Sequence, residues 1–426
     1  SIGRVQTPTL ALVVERQKAI ENFKPETYWE IRTNYREGLF SCLRGRFNKK
    51  EEAEALLEKI TPLELEILSI ERKKAMEHPP KLFDLTLLQV ECNRKFAYTA
   101  ENTLKIIQSL YEKKLTTYPR VDTNFLPNDQ YAKVPKILQG LKPYEALTQP
   151  ILSGGKIRKS AKVFNDKKIT DHHAIIPTGV FSYDMSPEEK RVYDLVARRF
   201  IAVFYPDCEI ANTTVMAKIG DEDFKATGKQ IIDPAWRVVF GNNTDKQNEE
   251  NVLPVYEKEH GPHTPEIQEK QTQPPKYYTE ADLLRAMETA GKQVEDEELR
   301  DLMKENGIGR PSTRANIIET LFKRQYIRKD KKRILATTTG IELIDTIQND
   351  LLKSAELTGQ WEKKLRMIED GTYQVADFME ELKAMVNEIV HFVRYSSAKT
   401  ITVETPEGKD GEDKKTKKER EKGKGK

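Results

Sequence analysis

Cysteine is scarce in this sequence. Of 426 residues only Cys42, Cys92 and Cys208 are cysteines, and they lie far apart with no Cys-x-x-Cys pair. This spacing excludes a zinc ribbon, argues against a disulfide framework and suits the reducing cytosol. Long apolar stretches are missing too, because no run approaches the roughly 18 residues of a membrane-spanning helix. We therefore expect a cytoplasmic protein without a membrane partner.

A nucleotide-hydrolysing loop is also absent. No Gly-x-x-x-x-Gly-Lys spacing occurs in the chain, so the P-loop that cradles phosphates in many ATPases is excluded. Net charge is small as well, since 71 Lys and Arg residues face 68 Asp and Glu residues for a balance of +3. Any surface for nucleic acid must therefore come from local clustering of basic residues. The length is enough for two to four domains.

The period of the apolar residues changes along the chain. Alternating apolar residues predict a β-rich piece over 25–75. From about Pro80 the spacing becomes helical, with Leu85, Leu88 and Cys92 on one face and Thr99 positioned to cap the next helix. Helices continue to about residue 200, interrupted by a Gly/Lys-rich loop at 153–162.

Strand-like segments return at 208–240, whereas 241–275 is poor in apolar residues and is interpreted as a long loop or linker. This nested order predicts a helical block inserted into one β domain. A second helical region follows, opened by a capping-box pair of Thr279 and Asp282. Near its end, "QYIRKDKKRILATTTG" (325–340) is a basic hairpin after a helix, as in winged-helix DNA-binding modules.

The two ends of the chain are unusual. From Thr405 onward the sequence is charged and of low complexity, so we expect this tail to be disordered. The chain starts at Ser1, without a methionine and directly on a motif-like stretch. We expect it to be part of a longer protein.

Tyr118 is the first candidate for chemistry. It lies in "TTYPRVDTNFL" (116–126), where the following proline excludes it from the α region and favours extended backbone. A free tyrosine titrates near pH 10 and is a poor nucleophile at neutral pH. Arg120 can lower that cost and can hold a phosphate with its planar fork, and Asp122 can orient the arginine. The alternative is an ordinary turn with a half-buried tyrosine.

The pair His172 and His173 lies in "DHHAIIPT" (171–178). Adjacent histidines point in different directions, so one buried and one exposed ring is the ordinary arrangement. A two-metal phosphoesterase site would need further aspartate motifs upstream, which the sequence lacks. Phosphate binding by a charged imidazole is the better chemical interpretation.

Two further stretches suit anion binding. "GIGRPSTRANIIETL" (307–321) places two glycines, Arg310, Ser312 and Thr313 at a helix start, where free backbone N–H groups attract phosphate. A simple helix cap is the alternative. The opening "GRVQTPTL" (3–10) sets Arg4 and Gln6 before a helix start that Thr7 can cap.

Taken together and in this order, the four stretches resemble the type IA DNA topoisomerases, most closely the topoisomerase III branch. "YTEADLLRAME" (278–288) and "LTGQWEKKL" (357–365) also fit the pattern of that family, and the resemblance covers about residues 1–395. It implies transient single-strand cleavage, strand passage and religation without ATP. The expected fold is α+β and multidomain, a toroidal core of a β-rich arch (domain II), a helical, winged-helix-like domain III and a helical domain IV.

The resemblance also implies a role for each matched residue. Tyr118 would attack a single-strand phosphodiester, leaving a 5′-phosphotyrosine and a free 3′-hydroxyl. Arg120 would hold the scissile phosphate with Asp122 supporting it, and His172 would assist at the phosphate. The residues that would contact the bound strand are Arg4, Gln6, Thr7, His173, Arg310, Ser312 and Thr313.

The implied domain boundaries follow the family layout. They are 1–24 for the first part of domain IV, 25–79 for the first part of domain II, 80–205 for domain III with the tyrosine, 206–272 for the second part of domain II, 273–395 for the main part of domain IV, and 396–426 for the tail.

Two departures from the family pattern matter. Family members often carry Ser or Thr where this chain has Val121, which removes a hydroxyl near the phosphate. The family's Toprim domain supplies a Glu and a DxDxE set that binds Mg²⁺, and no DxDxE occurs in these 426 residues. We therefore expect a chain without the Toprim domain and without a cofactor of its own, with the Mg²⁺ ligands in the full-length protein.

The expected partners are single-stranded and negatively supercoiled DNA, and the expected location is the nucleoid. We expect the protein to be a monomer, and a helicase is a candidate protein partner. The competing class is a single-stranded DNA-binding protein without enzymatic activity. Basic residues interleaved with Tyr277, Tyr278, Phe322 and Tyr326 would serve that role equally well.

Overall fold

The computed structural model describes residues 3–169, 171–241, 251–293, 307–347 and 350–395. By their packing the residues divide into two units, unit 1 with Ser1–Lys18 and Tyr277–Lys426, and unit 2 with Ala19–Lys276. The tail for which disorder was predicted lies outside the described residues.

Both units are built from helices and antiparallel strands. The strands are β1 Thr27–Tyr35, β2 Gly38–Cys42, β3 Leu65–Glu77, β4 Cys208–Ile219, β5 Glu222–Asp233, β6 His260–Gly261, β7 Thr264–Gln271, β8 Ile327–Asp330 and β9 Arg333–Ala336. The α-helices are α1 Gln6–Glu21, α2 Lys50–Ile60, α3 Leu85–Phe96, α4 Ala100–Glu112, α5 Val134–Gly140, α6 Glu145–Ser153, α7 Pro187–Ala202, α8 Glu280–Thr289, α9 Pro311–Lys323, α10 Thr338–Thr346, α11 Asp350–Lys353, α12 Glu356–Glu369 and α13 Val375–Tyr395.

Unit 2 contains a seven-stranded sheet in the order β6-β3-β4-β5-β2-β1-β7. Its neighbouring strands run antiparallel, and β3 pairs with β4 from Leu65 opposite Ile219 to Glu77 opposite Cys208. Only part of the sheet is covered. The start of β3 is buried in a core shared with α2, whereas most of its second half is exposed. The predicted β-rich piece is therefore present, and β3 extends beyond it as an open ribbon.

The helical block of unit 2 has its own core, formed by buried residues between Leu82 and Val239. Leu85, Leu88 and Cys92 are all buried on α3, as the helical spacing predicted. The Thr99 Oγ1 accepts a hydrogen bond of 3.0 Å from the Asn102 N–H and caps α4, which confirms that prediction. The chain of the block leaves the sheet after β3 and returns to it at β4.

Two ion clusters tie these crossings together. The Arg237 guanidinium donates to both carboxylate oxygens of Glu77 at 2.6 Å. The second cluster joins the two crossings, because Asp207, just before β4, lies 2.7 Å from His78 Nδ1, just after β3. Asp207 also lies 2.7 Å from Arg158 Nη1. Burial alone would raise the pKa of Asp207, but the hydrogen bonds from Arg158 and His78 outweigh it and hold that pKa below its ordinary value. The joint between block and sheet is thus charged rather than apolar.

One prediction about the second β region is wrong. The stretch 241–275, interpreted as a loop or linker, contains β6 and β7, and β7 pairs with β1 over eight residues from Thr264 to Gln271. Residues 242–250 lie outside the described part. The sequence misled because β7 is an edge strand with no fully buried position, so it lacks the apolar alternation of an inner strand.

Unit 1 is mainly helical. The Thr279 side chain accepts from the Asp282 N–H while Asp282 accepts from the Thr279 N–H, which confirms the predicted capping box of α8. The basic hairpin is present as β8 and β9, directly after α9, with Ile327 opposite Ala336. Among the described residues we find no helix that combines the length and the hydropathy needed to cross a bilayer.

The Thr99 cap allows a test of how the helical block is stabilised. We expect Thr99→Ala to lower the free energy of local opening of α4 by about 1 kcal/mol, because one N-terminal amide loses its acceptor. Thr99→Ser keeps the hydroxyl and should stay near the parent. Amide hydrogen exchange of Ala100–Glu112 measures the difference, and equal exchange in both variants would contradict this assignment of the cap.

Candidate active site

Two non-helical segments of the helical block lie side by side. They are the tyrosine strap, residues 115–126, and the histidine strap, residues 172–178. The Thr117 N–H donates to the Ile176 carbonyl at 2.9 Å, and the Ile176 N–H returns a 3.0 Å bond to Thr117 Oγ1. Further along, the Ala174 N–H donates to the Phe125 carbonyl at 2.9 Å. The two motifs read separately in the sequence therefore form one backbone-paired site.

Tyr118 is half-buried at the centre of this site. Its ring meets the Tyr111 ring edge-on, with centroids 5.5 Å apart. Its ring also contacts the imidazole of His172, with centroids 4.5 Å apart and a 43° interplanar angle. Within the described part of the chain its hydroxyl has no hydrogen-bond partner. The structure thus brings two of the predicted catalytic residues together and leaves the phenol oxygen available.

Burial alternates along the tyrosine strap after Tyr118. Pro119 and Val121 are buried, whereas Arg120 and Asp122 are exposed. The backbone bends at Pro119 and again at Asp122. Arg120 and Asp122 are thus open to solvent two and four positions after the half-buried Tyr118.

No ion pair within 4 Å joins Arg120 to Asp122 among the described residues, so the orienting contact expected between them is not formed here. Both side chains are left open to a ligand.

Val121 anchors this part of the tyrosine strap to the core. Its side chain is only 2% exposed, and its carbonyl accepts a 3.1 Å bond from the Leu85 N–H at the start of α3. The Val121 side chain thus points into the core. It contributes packing, and it does not line the exposed surface.

The second histidine has a different environment. His173 is half-buried, and its Nδ1 lies 2.8 Å from the Ala174 carbonyl, so this nitrogen carries a proton and donates. Burial lowers the pKa of His173 below its ordinary value, although the bond to Ala174 opposes the shift. His172, by contrast, is exposed beside Tyr118. The two rings do point in different directions, as the sequence predicted.

Metal binding finds no support in the described residues. No group of three or more His, Cys, Asp or Glu side chains there is placed to hold a metal ion. The two-metal phosphoesterase alternative therefore has no ligand set in this region.

The third motif builds a helix start in unit 1. Gly307 and Gly309 adopt positive φ angles of 57° and 72°, which side chains other than glycine adopt only with strain. Arg310 follows as the exposed N-cap residue of α9, and the Thr313 hydroxyl donates to the Arg310 carbonyl at 3.0 Å. Ser312 is half-buried in the first turn. Pro311 has no N–H, and the Thr313 N–H already donates to the Arg310 carbonyl at 2.9 Å. Among the described contacts the Ser312 N–H is therefore the amide of this first turn left for an anion, next to the exposed residue Arg310.

The opening motif belongs to the same unit. The Cβ that a side chain at Gly309 would need falls 3.0 Å from the Val5 side chain, so the two loops are in close contact. The Gln6 Oε1 accepts from Arg324 at 2.8 Å, and Arg4 lies over the Trp361 ring at 5.2 Å.

Thr7 does not cap α1 as expected. The helix starts at Gln6, and the Thr7 hydroxyl accepts from the Gly3 N–H at 2.9 Å. At 4% exposure it braces the turn before the helix rather than offering a surface to DNA.

Sequence reasoning missed three contacts of the predicted residues. Tyr111 packs on Tyr118, Arg324 holds Gln6, and Trp361 lies under Arg4. Nothing local to Tyr111 shows that the tyrosine strap folds back over α4. The other two partners lie more than 300 residues from theirs, where no periodic signal reaches.

Comparison with known proteins agrees with these motifs. The family model for DNA topoisomerase matches residues 1–380. The chain therefore belongs to the DNA topoisomerase family. Within it the chain is a type IA, topoisomerase III-like member, being 36% identical over 417 residues to DNA topoisomerase 3 of Bacillus anthracis. DNA topoisomerase 3 of Bacillus subtilis (strain 168) is 34% identical over the same length.

The chain covers only part of these relatives. Each match takes in 93% of this chain and 57% of the relative. A solved structure of full-length topoisomerase I from Thermotoga maritima matches 91% of this chain and 62% of its own, with a TM-score of 0.70 at 24% identity. That likeness shows that the fold is the α+β fold of a type IA topoisomerase core.

The environment of His173 gives a titration test. We expect its imidazole to titrate below 6.5, because burial penalises the charged form. The unfolded chain then binds the proton more tightly, so the contribution of His173 to folding stability is lost as pH falls. NMR of histidine-labelled protein, assigned with His173→Gln, measures the value. A titration at or above 6.5 would show that the ring is not desolvated.

Proposed function

We propose that this chain carries the DNA-cleaving tyrosine of a type IA topoisomerase, and that Tyr118 is the nucleophile. One observation carries the proposal: the Tyr118 ring lies against the His172 imidazole, and the Arg120 side chain two positions on is exposed. The buried neighbours Pro119 and Val121 anchor this part of the tyrosine strap, so little ordering is needed when a strand binds.

The proposed step exchanges one phosphodiester for another. The Tyr118 oxygen attacks a backbone phosphorus, the bond from phosphorus to the 3′-oxygen breaks, and a tyrosyl–5′-phosphate ester forms. The phenol gives up its proton to a base or to water, and the released 3′-oxygen takes one up. Because the new ester conserves the free energy of the old one, religation needs no nucleotide. The absence of a P-loop from the sequence is compatible with this route.

The neighbouring side chains stabilise the reacting phosphate. Arg120 makes no ion pair with the described residues, so its guanidinium is free to bind two phosphate oxygens. His172 lies against the Tyr118 ring and donates to a phosphate oxygen when protonated. Asp122 reduces the net positive charge next to Arg120, and it orients the Arg120 side chain once a strand is bound. His173, neutral and bonded to Ala174, positions the histidine strap beside the DNA.

Unit 1 supplies the strand-binding part of the proposal. The helix start at Arg310, Ser312 and Thr313 binds a phosphate, and Arg4 and Gln6 contact the neighbouring nucleotide. We place Mg²⁺, where the reaction uses it, on residues of the longer protein outside this chain. Strand passage, relaxation of negatively supercoiled DNA at the nucleoid and cooperation with a helicase are proposed for that longer protein, acting as a monomer.

The polarity of the covalent adduct tests the nucleophile. The chain, Mg²⁺ and a separately produced Toprim domain of a relative are mixed with a single-stranded oligonucleotide and denatured. We expect label on the protein only when the oligonucleotide is labelled on its 3′ side, since that piece keeps the 5′-phosphate. Tyr118→Phe should abolish the adduct, whereas Tyr111→Phe removes a neighbouring hydroxyl and should retain it. An adduct with 5′-side label, or one that survives Tyr118→Phe, would refute the assignment.

The alternative function is strand binding without cleavage. Three of its four aromatics are engaged with cations, among them Phe322 with Lys329 at 5.3 Å and Tyr277 with Arg333 at 5.4 Å. Tyr278 is 8% exposed and lies against Arg16, so it offers no stacking surface. Both functions predict salt-sensitive binding, but only the enzyme gives the adduct.

The chain by itself gives a further test. We expect it to bind single strands with an affinity that falls with salt, by a log–log slope of about 0.7 per neutralised phosphate. We also expect no relaxation of negatively supercoiled plasmid with Mg²⁺, because the described residues provide no metal site. Agarose electrophoresis of the plasmid after incubation decides the point. Efficient relaxation by the purified chain would show that the metal ligands are present within it.

A further inference from the structure

A cavity in unit 2, apart from the surroundings of Tyr118 described above, suits a nucleotide. It encloses about 490 Å³ between the connection that follows β3 and the Gly/Lys-rich loop. Residues from four segments line it, among them Pro80 and Lys81, Phe125, Arg158, Ser160 and Lys162, and Val203 and Asp207. Phe125 belongs to the tyrosine strap, seven positions after Tyr118, so the two residues are at most about 25 Å apart.

The cavity is positively charged. Among the described residues that line it, Asp207 is the only acidic side chain, and that carboxylate already bonds Arg158 and His78. Lys81 and Lys162 are exposed, and neither forms an ion pair with the described part of the chain. Two unneutralised ammonium groups at the rim of a concave surface concentrate anions there. The Ser160 hydroxyl lies on the same loop, within the lining.

One wall of the cavity is flat and apolar. The Phe125 ring is half-buried, and it is not among the described side chains that pack against the core of the helical block. The Lys81 ammonium lies 5.8 Å from its centroid, and Pro80 and Val203 extend the apolar lining. A half-buried ring in the cavity lining, with its backbone paired, provides a stacking surface for a base once the flexible Lys81 side chain moves to a phosphate. Its backbone is fixed by the bond from Ala174 to the Phe125 carbonyl.

We propose that this cavity binds one nucleotide, with the base on Phe125 and the phosphate between Lys81 and Lys162. The inference rests on the proposed function, since it extends the DNA track beyond Tyr118. A strand held at Tyr118 reaches the cavity within roughly seven nucleotides at stacked spacing. The same chemistry would take a free nucleotide, so the ligand class is a nucleoside phosphate, within a strand or alone.

Charge removal is the first test, performed with the full chain carrying Tyr118→Phe so that cleavage plays no part. Binding of a fluorescent oligo-dT is measured by anisotropy across a salt series. The double variant Lys81→Ala with Lys162→Ala should bind about tenfold more weakly, with a salt slope smaller by about 0.7 for the lost phosphate contact. The control removes two exposed lysines of the same block that do not line the cavity, Lys142→Ala with Lys190→Ala, and should stay within about twofold of the parent.

Stacking and location are the second test. Phe125→Leu should weaken binding roughly tenfold with an unchanged salt slope, because a stacking contact carries no charge. Photocrosslinking of an iododeoxyuridine oligonucleotide should label the peptide that contains Phe125. Displacement by millimolar dTMP would show that a nucleotide alone suffices, and displacement only by longer strands would show that the site reads a strand.

The outcomes separate the two proposals. If the parent binds the oligonucleotide and the Lys81/Lys162 variant matches the Lys142/Lys190 control, the nucleotide site is wrong and the proposed function stands. If the parent binds no oligonucleotide, both fail. The exposed lysines keep the test valid even if Phe125→Leu does not fold.

Discussion

The hydrogen bonds of Thr117 hold the candidate site together. Its N–H and its Oγ1 both engage Ile176, at 2.9 and 3.0 Å, and so pair two segments that are neither helix nor sheet. Irregular backbone inside a protein needs such partners, because unpaired buried amides and carbonyls are costly. Once the two straps are paired, Tyr118 has little choice of neighbour. Its contact with His172 follows from the backbone register rather than from any attraction between the two rings.

Charge around the site is distributed in a way that favours an incoming anion. The described carboxylates near the joint, Glu77 and Asp207, are fully engaged by arginines and a histidine. Arg120, on the tyrosine strap, is not. The arginines at the joint are thus neutralised within the protein, whereas Arg120 has no ion pair with the described residues.

Local signals in the sequence predicted local structure well. Thr99 and Thr279 cap the helices they were expected to cap, because capping depends on residues three positions apart. The motif residues of the four stretches could be named, and their order identified the family. The strand β7 was missed because an edge strand is not required to be apolar. The partners of Gln6 and Arg4 and the packing of Tyr111 on Tyr118 depend on tertiary contacts that no window of sequence contains. Thr7 is a good capping residue, but α1 begins at Gln6, one residue before it. The Thr7 hydroxyl therefore accepts from the Gly3 N–H instead of capping the helix.

The polar character of β7 has a consequence for the protein in solution. Within the described residues of unit 2, β6 and β7 are the end strands of the sheet. An edge strand presents unpaired N–H and C=O groups that can recruit a strand from another molecule. At one end β6 is only two residues long. At the other end, β7 carries Pro265 and several charged side chains. It pairs with β1 along one side only. A proline that cannot donate and charges that repel their own copies discourage edge-to-edge association. The composition that concealed this strand from sequence reasoning is thus what protects a long, partly uncovered sheet from aggregation.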